Sequence, residues 1–301
     1  MWAQLLEEII NGDIKALART ITLVENEYTG YEDFLQMLPA NSIPVIGITG
    51  PPGAGKSTLV DGLIGEIVKQ NKKIAVLCID PSSPFNLGAL LGDRIRMSNW
   101  YNHPGVFIRS LATRGSLGGL HPKIIEITDT LKAFPVDYII IETVGVGQSE
   151  IEIAGLADTT VVVVVPEAGD EIQTMKAGLM EIADIFVVNK CDRPDANLFV
   201  KNLRLMLAPS FSNHQHEVAI VKTIASQQKG LDELLQKITQ HQQFALSTER
   251  RLFLLAEKAF HLIQNKRMKD IDKKNLKEEI SKQLNDSSFN LYRFVLNKQR
   301  D

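Results

Sequence analysis

With 301 residues, of which 33 are Lys or Arg and 36 are Asp or Glu, the chain has a formal net charge of −3. That balance argues against a nucleic-acid partner, which requires a basic surface, and no apolar run is long enough to span a membrane. The N-terminus lacks the basic start and apolar stretch of a signal peptide. The only cysteines, Cys78 and Cys191, fall in or beside apolar runs, so we expect free thiols and a cytoplasmic protein.

Residues 1–40 predict a helical extension at the N-terminus. The segment Asn11-Gly12-Asp13 interrupts the pattern as a helix stop followed by a possible cap for the next helix. Apolar residues recur at helical spacing on both sides of this break, at Leu5, Leu6, Ile9, Ile10, Ile14, Leu17, Ala18, Ile21 and Val24. Because one face of each helix is apolar, we expect the extension to pack on the domain that follows.

Residues 41–244 predict a doubly wound α/β domain with a mostly parallel sheet. Short apolar runs alternate there with helical patterns, at 44–49, 73–80, 105–110, 136–142, 159–165, 184–190 and 217–223. Several runs are apolar throughout, as expected of parallel strands that are covered on both faces. Ligands of such folds bind at the carboxyl ends of the strands, and the polar motifs fall at those ends.

The first run leads into a glycine-rich segment that matches the phosphate-binding P-loop pattern. Glycines let backbone N–H groups turn toward a phosphate, and the N-terminus of the next helix adds a partial positive charge. Lys56 is expected to reach the β- and γ-phosphates, and Ser57 to bind magnesium through its hydroxyl. The alternative is a glycine-rich turn that binds nothing. The predicted nucleotide contacts of this P-loop domain are Gly50, Gly53, Ala54, Gly55, Lys56, Ser57 and Thr58.

A second motif begins where the run 136–142 ends. A carboxylate that closes a strand beside a P-loop occupies the position that holds magnesium or one of its waters. Glu142 is the candidate for that role, Gly145 could bring its backbone N–H to the γ-phosphate, and Gln148 could orient the attacking water. A surface amide is an equally good interpretation of Gln148.

Two more carboxylates belong to the region around the end of the second run. Asp80 closes the run 73–80, and Asp93 follows shortly afterwards. Mg²⁺ prefers oxygen ligands and keeps several waters, so the candidate magnesium ligands are Ser57, Asp80, Asp93 and Glu142. Either Asp could instead cap a turn or a helix, and spacing alone favours that interpretation for Asp93.

Asn189, Lys190 and Asp192 follow the sixth apolar run in the Asn-Lys-x-Asp pattern of a guanine-reading loop. A carboxylate only accepts hydrogen bonds, so Asp192 can take both N1–H and the exocyclic amino group of guanine, a donor pair that adenine lacks. Lys190 would lie along the base, and Asn189 would hold the loop. The alternative is a polar turn after a strand. By its order in the chain, the loop with Ala225 and Ser226 is expected to offer backbone N–H groups to the guanine oxygen.

Residues 245–301 differ in composition from the rest of the chain. Lys and Arg outnumber Asp and Glu there, whereas the remainder is acidic. Apolar residues form two helical stripes, at Leu252, Leu255, Ala256, Ala259, Phe260 and Ile263 and at Leu276, Ile280 and Leu284. A basic helical segment beside an acidic domain predicts an arm for docking or dimerisation. A solvated helical face that completes the fold is as good an interpretation of the pattern.

Several stretches resemble the MeaB/ArgK family of SIMIBI-class P-loop GTPases, namely 47–58, 80–97, 111–120, 142–150, 168–173, 176–178 and 181–184. The likeness is dense up to about residue 240 and weakest in the C-terminal arm. It implies GTP and GDP as ligands together with Mg²⁺, and GTP hydrolysis as the activity. It also implies a chaperone that assists cofactor loading and protection of an adenosylcobalamin-dependent acyl-CoA mutase, such as methylmalonyl-CoA mutase.

The resemblance also implies roles for single residues. Lys56 would be the phosphate-binding lysine, and Asp80, Asp93 and Glu142 would be the magnesium and switch carboxylates. Residues 167–176 would form a mobile switch that signals to the mutase. Members of the family form dimers partly through their C-terminal helices, which implies a homodimer here.

The chain departs from the family pattern at Cys191, where the family commonly has Ala. We interpret this position as pointing away from the base, so the preference for GTP is expected to persist. For an arginine that stabilises the transition state, Arg114 is the candidate.

Two other function classes stay open. A metal-insertion GTPase would need a Cys- and His-rich ligand set, and the chain offers little beyond His214 and His216. A kinase associated with amino-acid transport, the older description of the family, would transfer phosphate to a protein acceptor. No feature of the sequence indicates a site for such an acceptor.

Overall fold

A computed structural model describes residues 1–80, 97–114, 120–145, 152–167, 177–207, 218–245, 248–271, 273–284 and 289–298. The chain divides into two compact units, Met1–Leu254 and Leu255–Asp301. The three domains expected from the sequence, 1–40, 41–244 and 245–301, stay a prediction beside this division. Several predicted features lie outside the described residues, namely Asp93, Gln148, His214, His216 and all but the first residue of the switch at 167–176.

The described part of the first unit is built around a seven-stranded sheet in which all neighbouring strands are parallel. The strand order is β3-β2-β4-β1-β5-β6-β7, so the direction of winding reverses beside β1. The strands are β1 (Val45–Thr49), β2 (Ile74–Asp80), β3 (Val106–Ala112), β4 (Tyr138–Glu142), β5 (Thr159–Val164), β6 (Ile185–Val188) and β7 (Ala219–Lys222). This order confirms the predicted doubly wound α/β fold, and each of the predicted runs overlaps one strand.

Helices cover both faces of this sheet. They are α1 (Trp2–Ile10), α2 (Ile14–Glu25), α3 (Tyr31–Gln36), α4 (Lys56–Lys69), α5 (Ile124–Lys132), α6 (Ala177–Ile182), α7 (Ala196–Leu207), α8 (Leu231–Ala245) and the start of α9 (Thr248–Arg267). Alternate residues of a strand enter opposite cores. In β4, Ile139 and Ile141 pack with α1, α2, α3 and α5, whereas Ile140 packs with α4 and α8. A third core joins β5 and β6 to α6 and α7.

The N-terminal helices belong to the same compact unit as the sheet. Asp13 caps α2 as the sequence predicts, because its carboxylate accepts hydrogen bonds from the backbone N–H groups of Lys15 and Ala16. Burying a large apolar side chain contributes about 1.5–3 kcal/mol relative to leaving it exposed. These helices therefore gain stability by packing on the sheet, through the fully buried side chains of Leu17, Ile21, Val24 and Phe34.

Strand β3 is longer than the run 105–110 that the sequence predicts. It continues because Leu111 and Ala112 pair with Ile79 and Asp80 of β2. The strand lies at one edge of the sheet, and β2 is its neighbour. The carboxyl ends of β2 and β3 are therefore side by side.

The second unit contains most of α9, with α10 (Lys273–Gln283) and α11 (Leu291–Lys298). An ion pair of 2.9 Å between Lys298 and Glu279 joins α11 to α10. In the part of α9 that belongs to this unit, three large apolar side chains are more than half exposed, at Leu255, Phe260 and Ile263. Among the described helices, none combines the length and the hydropathy needed to cross a membrane.

Candidate nucleotide-binding site

The P-loop segment connects β1 to α4 at the carboxyl edge of the sheet. Helix α4 begins at Lys56, and Gly55 directly before it is the N-cap residue. Lys56 is buried, and its Nζ donates hydrogen bonds to the carbonyl oxygens of Gly50 at 2.8 Å and Pro51 at 3.1 Å. The loop thus closes around its lysine, at the end of α4 that carries the partial positive charge.

Ser57 and Glu142 meet beside this loop. Both are buried, and Ser57 Oγ donates a hydrogen bond to Glu142 Oε1 at 2.6 Å. Glu142 reaches this position because β4 lies next to β1, with Glu142 paired to Ile48. A hydroxyl and a carboxylate at this distance offer the oxygen ligands that Mg²⁺ prefers, so the two residues fit the predicted metal role.

Asp80 ends β2, on the side of β4 that faces away from β1. It is buried, and Cys78 two residues earlier pairs with Glu142, so Asp80 lies beyond Glu142 along the strand direction. Its backbone carbonyl accepts a hydrogen bond from the N–H of Thr113 at 3.0 Å. In the parts of the chain that the structure describes, no three His, Cys, Asp or Glu side chains form a metal-binding group. Mg²⁺ at phosphates usually takes one or two carboxylates and completes its shell with water and phosphate oxygens, which suits Glu142 with Asp80 nearby.

The segment after β4 returns to the P-loop at Gly145. Thr143 Oγ1 donates a hydrogen bond to Thr49 Oγ1 at 2.9 Å, which fixes the end of β4 to the end of β1. Gly145 has a φ of +81°, and a Cβ built on it would overlap Lys56 Nζ and the carbonyl oxygen of Gly50. Glycine alone avoids that overlap, so the backbone at this position lies close to the P-loop lysine.

Asn189 joins three loops on the other side of the P-loop. Its side chain is buried, and its Nδ2 donates a hydrogen bond to the carbonyl oxygen of Ala54 at 2.9 Å. Its Oδ1 accepts hydrogen bonds from Thr223 Oγ1 at 3.0 Å and from the Ala225 N–H at 3.1 Å. A Cβ on Gly55 would overlap Asn189 Nδ2, so the P-loop can approach this closely only with glycine there. The network ties the predicted guanine-reading loop to the P-loop.

Lys190 and Asp192 lie on the outer side of the same loop. Lys190 Nζ donates a hydrogen bond to the Gly53 carbonyl oxygen at 2.8 Å, so its stem reaches from this loop to the P-loop. Asp192 is exposed. Cys191 between them turns inward, where its Sγ donates a hydrogen bond to the Val188 carbonyl oxygen at 3.0 Å and burial raises the pKa of its thiol. Such an alternation leaves the lysine and the carboxylate available to a base.

The loop after β7 differs in part from what the sequence predicts. Ala225 is buried, and its backbone N–H donates to Asn189 instead of pointing to open space. Ser226 next to it is exposed. Ala225 therefore supports the guanine-reading loop, and the predicted ligand contact of Ser226 stays a prediction.

The sequence model of a protein family described as methylmalonyl-CoA mutase-associated GTPase MeaB matches residues 17–279. The chain belongs to this family. A protein of Pyrococcus abyssi that is named as a GTPase is 50% identical over 250 residues, which cover 80% of this chain and 76% of that protein. Together with the P-loop fold, membership of the MeaB family identifies a GTP-binding protein.

Two further relatives extend the comparison. The fused isobutyryl-CoA mutase of Geobacillus kaustophilus is 38% identical over 237 residues, which cover 74% of this MeaB-family chain and 22% of that protein. The crystal structure of a LAO/AO transport system kinase aligns with a TM-score of 0.66 at 22% identity, over 99% of this chain and 96% of that chain. The structural match shows a shared fold.

Sequence reasoning includes Thr223 in the loop of the guanine pocket, but it assigns no role to the hydroxyl groups of Thr143 and Thr223, which support the site of this MeaB-family protein. Thr143 and Thr223 each follow directly on the last residue of a strand, and both are buried. The Thr143 hydroxyl is hydrogen-bonded to Thr49 at the end of β1, and the Thr223 hydroxyl to Asn189 after β6. A threonine in that position is the signal that would have indicated them. Isolated threonines after apolar runs are common, however, so the signal gains meaning only with the strand order.

Some of the predicted residues lie elsewhere. Arg114, the candidate arginine finger, donates hydrogen bonds from Nη2 to Glu25 Oε1 at 2.7 Å and to Asn26 Oδ1 at 3.4 Å. Its guanidinium therefore contacts the end of α2. Asp93 and Gln148 are outside the described residues, so the structure shows the candidate magnesium ligands only at Ser57, Asp80 and Glu142.

Proposed function

We propose that this MeaB-family protein hydrolyses GTP with Mg²⁺, as a cytoplasmic chaperone of an adenosylcobalamin-dependent acyl-CoA mutase. The observation that carries the hydrolytic activity is the buried hydrogen bond between Ser57 and Glu142, next to the loop that encloses Lys56. This arrangement brings the oxygen atoms of Ser57 and Glu142 close to the ammonium group of Lys56. Phosphoryl transfer depends on positioning and charge stabilisation, and both are available from this arrangement.

The P-loop would bind the phosphates. Lys56 and the N-terminus of α4 would offset the negative charge on the β- and γ-phosphate oxygens, and the Gly145 N–H would donate to the γ-phosphate. Lys56 would exchange its hydrogen bonds to Gly50 and Pro51 for bonds to phosphate oxygens. Because these carbonyls hold the ammonium inside the loop, little side-chain ordering would remain to be done on binding.

Ser57 and Glu142, with Asp80 and Asp93, would hold Mg²⁺ or its waters. When bound, Mg²⁺ neutralises charge that develops on the phosphate oxygens. Gln148 would orient a water toward the γ-phosphorus. Attack would form one bond from the water oxygen to phosphorus and break the bond to the bridging oxygen, which leaves GDP and inorganic phosphate.

Guanine selection would depend on the exposed carboxylate of Asp192, which would accept from N1–H and the exocyclic amino group. Lys190 would cover one face of the base, and Ser226 would offer its N–H to the guanine oxygen. Asn189 would act from behind, since its amide is already bonded to Ala54 and to the loop after β7.

A mutase partner is supported by the relative from Geobacillus kaustophilus. That protein is a fused isobutyryl-CoA mutase, and a segment covering 22% of it matches 74% of this chain. Fusion of two activities in one chain favours an interaction between the same activities when they are carried by separate chains.

A homodimer is supported by the second unit. Side chains at Leu255, Phe260 and Ile263 repeat along one helix and are more than half exposed. A group of exposed apolar side chains of this size is typical of a surface that contacts another chain. Its occupant would be a second copy of this chain.

Two measurements test the proposal. We expect purified protein to release phosphate from GTP slowly, and a cognate acyl-CoA mutase to accelerate the release. Lys56→Ala should abolish turnover and weaken GDP binding, whereas Lys69→Ala, in an exposed ion pair with Glu66 at the far end of the same helix, should change neither. Retained turnover in Lys56→Ala would remove the P-loop as the active centre, and no acceleration by any cognate mutase would contradict the chaperone role.

A further inference from the structure

One carboxylate joins the N-terminal helices to the edge of the sheet. Glu25 is the last residue of α2, and its side chain is 12% exposed. Its Oε2 accepts a hydrogen bond from Arg109 Nη2 at 3.0 Å, and its Oε1 accepts one from Arg114 Nη2 at 2.7 Å. His121 Nε2 lies 3.6 Å from Oε1. We call these four residues the Glu25 cluster.

The cluster contacts both ends of the connection between β3 and α5. Arg109 lies on β3 and Arg114 two residues beyond its end. His121 precedes α5, and its Nδ1 accepts a hydrogen bond from the N–H of Lys123, the N-cap residue of that helix. A single side chain of the N-terminal extension thus contacts one residue shortly after β3 and one shortly before α5.

Glu25 is an unfavourable residue for its own helix. The C-terminus of a helix carries a partial negative charge, so a carboxylate there is destabilising, and the last turn of α2 has no basic residue to offset it. The compensation comes from the guanidinium groups of Arg109 on β3 and Arg114 just after it. Glu25 therefore stabilises the contact of α2 with Arg109 and Arg114, and it does not stabilise α2 itself.

Arg114 connects this contact to the predicted magnesium site. Arg114 has a φ of +49°, a conformation that is strained for a residue with a side chain and persists only where the surroundings enforce it. Its guanidinium is held by Glu25, and Thr113 directly before it donates its N–H to the carbonyl oxygen of Asp80. Fixing Arg114 therefore fixes the last rung between β3 and β2.

We propose that Glu25 is a positioning residue of the nucleotide site, which acts through Arg114 to hold Thr113 against the main chain of Asp80. The N-terminal extension is then part of the GTPase machinery. This inference rests on the proposed GTP hydrolysis and on the metal role of Asp80. We expect Glu25 to have no effect on guanine selection. Asn189 and Asp192 follow β6, which lies on the opposite side of β1 from β2.

The first test needs neither nucleotide nor metal. In Glu25→Gln, hydrogen–deuterium exchange at the Thr113 amide should become at least about tenfold faster relative to the amides of β1. Local opening in wild type has to break the contact between Glu25 and Arg114, and the variant opens without that cost. Glu27→Gln is the matched control, since Glu27 lies two residues away and pairs with Lys123 at 2.7 Å. We expect it to leave Thr113 exchange unchanged. Equal exchange in wild type and Glu25→Gln would overturn the proposal.

The second test measures the consequence for the site. We expect Glu25→Gln to raise the Mg²⁺ concentration for half-maximal GTP turnover about tenfold, as is usual when a residue behind a metal ligand is lost. The ratio of GTP to ATP affinity should stay as in wild type. A uniform fall in turnover and thermal stability, with the Mg²⁺ requirement unchanged, would reduce Glu25 to a structural residue.

Arg114→Gln and the double variant separate the remaining explanations. If Glu25 acts through Arg114, the double variant should exchange at Thr113 no faster than either single variant, because coupled residues are not additive. Additive effects would overturn the proposal, as would lost turnover in Arg114→Gln with normal exchange, which would place Arg114 in the chemistry. If Glu25→Gln does not fold, exchange in Arg114→Gln decides alone. Absence of GTP hydrolysis in wild type would refute the proposed function while the exchange data still report on the positioning contact.

Discussion

Single residues carry the selectivity of the predicted guanine site. Asp192 is exposed at the end of the β6 loop, whereas its neighbours Asn189 and Lys190 are already hydrogen-bonded to the P-loop. Asp192 takes no part in these contacts with the P-loop. Its replacement should therefore alter recognition of the guanine base without loss of the fold.

We expect Asp192→Asn to lower GDP affinity about 10–100-fold, because an amide replaces one acceptor by a donor that faces the donors of guanine. ADP affinity should change little. Asp195→Asn, an exposed position of the same loop, is the control and should bind GDP as wild type does. Calorimetric titration with GDP and ADP measures both. An unchanged ratio of the two affinities would remove Asp192 from base recognition.

Glu25 makes stability depend on pH. The His121 imidazole, and after it the Arg109 and Arg114 guanidinium groups, hold the pKa of the Glu25 carboxyl at about 2 against its usual 4.5, although burial acts in the opposite direction. A carboxyl whose pKa is lowered by folding stabilises the native state above its unfolded pKa. That contribution is lost as the pH falls from 4.5 toward 2.

Glu25→Gln should therefore lower the free energy of unfolding by about 2–3 kcal/mol at neutral pH. The difference from wild type should shrink progressively below pH 4.5 and vanish near pH 2. Urea denaturation at a series of pH values measures it. A difference that stayed constant over that range would mean that the charge of Glu25 does not stabilise the fold.

At the level of elements, Asp184 joins the start of β6 to two helices at the edge of the sheet opposite the P-loop. Its carboxylate accepts hydrogen bonds from the Thr160 N–H and from Arg250 Nη2 of α9, both at 2.7 Å, and His241 Nε2 of α8 lies 3.2 Å away. Burial alone would raise the pKa of Asp184, but His241, Arg250 and the Thr160 N–H hold it below its usual value. The charge is thus part of the contact between sheet and helices.

We expect Asp184→Asn to destabilise the chain by about 3 kcal/mol, since it removes the negative charge that faces both the Arg250 guanidinium and His241 in a largely buried contact. Asp158→Asn is the matched control, because Asp158 accepts only a neutral donor in the contact described, the Val45 N–H at 2.8 Å. Its loss should cost about 1 kcal/mol. Chemical denaturation compares the two. Equal losses would show that the charge on Asp184 contributes nothing beyond a hydrogen bond.

The elements also show how far the sequence alone predicts this molecule. The parallel strands could be predicted because a strand covered on both faces must be apolar along its length, as β2 and β5 are. The end of β3 could not, because Leu111 and Ala112 continue the strand by pairing with β2, a contact that no local pattern encodes. The same holds for the loops. The P-loop could be predicted because it is a local pattern, whereas the Glu25 cluster could not, because it brings together residues far apart in sequence.

The site shows the same limit at finer detail. Lys56, Ser57 and Glu142 are predictable from spacing, because each lies at a fixed offset from a strand. Ala225 is not, since its N–H could serve either a ligand or Asn189, and only the folded loop decides between them. The buried hydroxyl of Thr223 donates to the same acceptor, Asn189 Oδ1, and so helps to hold Ala225 in that contact.

At the level of the whole molecule, the second unit carries the apolar surface that the proposed homodimer would use. We expect Phe260→Glu to convert the dimer to a monomer, because a carboxylate in an apolar contact between two copies would lose its hydration. Leu198→Glu, at an equally exposed apolar position of α7, is the control and should leave the dimer intact. Light scattering gives the mass directly. A dimer that persists in Phe260→Glu would place the contact elsewhere.

The burial of α1, α2 and α3 has a consequence for biosynthesis. These helices are translated before the elements that cover them, which include Ile127 and Leu131 of α5 and Ile139 and Ile141 of β4. The nascent chain must therefore expose their apolar faces until β4 has been translated, and exposed faces of this kind attract chaperones and promote aggregation. A product truncated before β4 would lack the side chains of α5 and β4 that cover α1, α2 and α3.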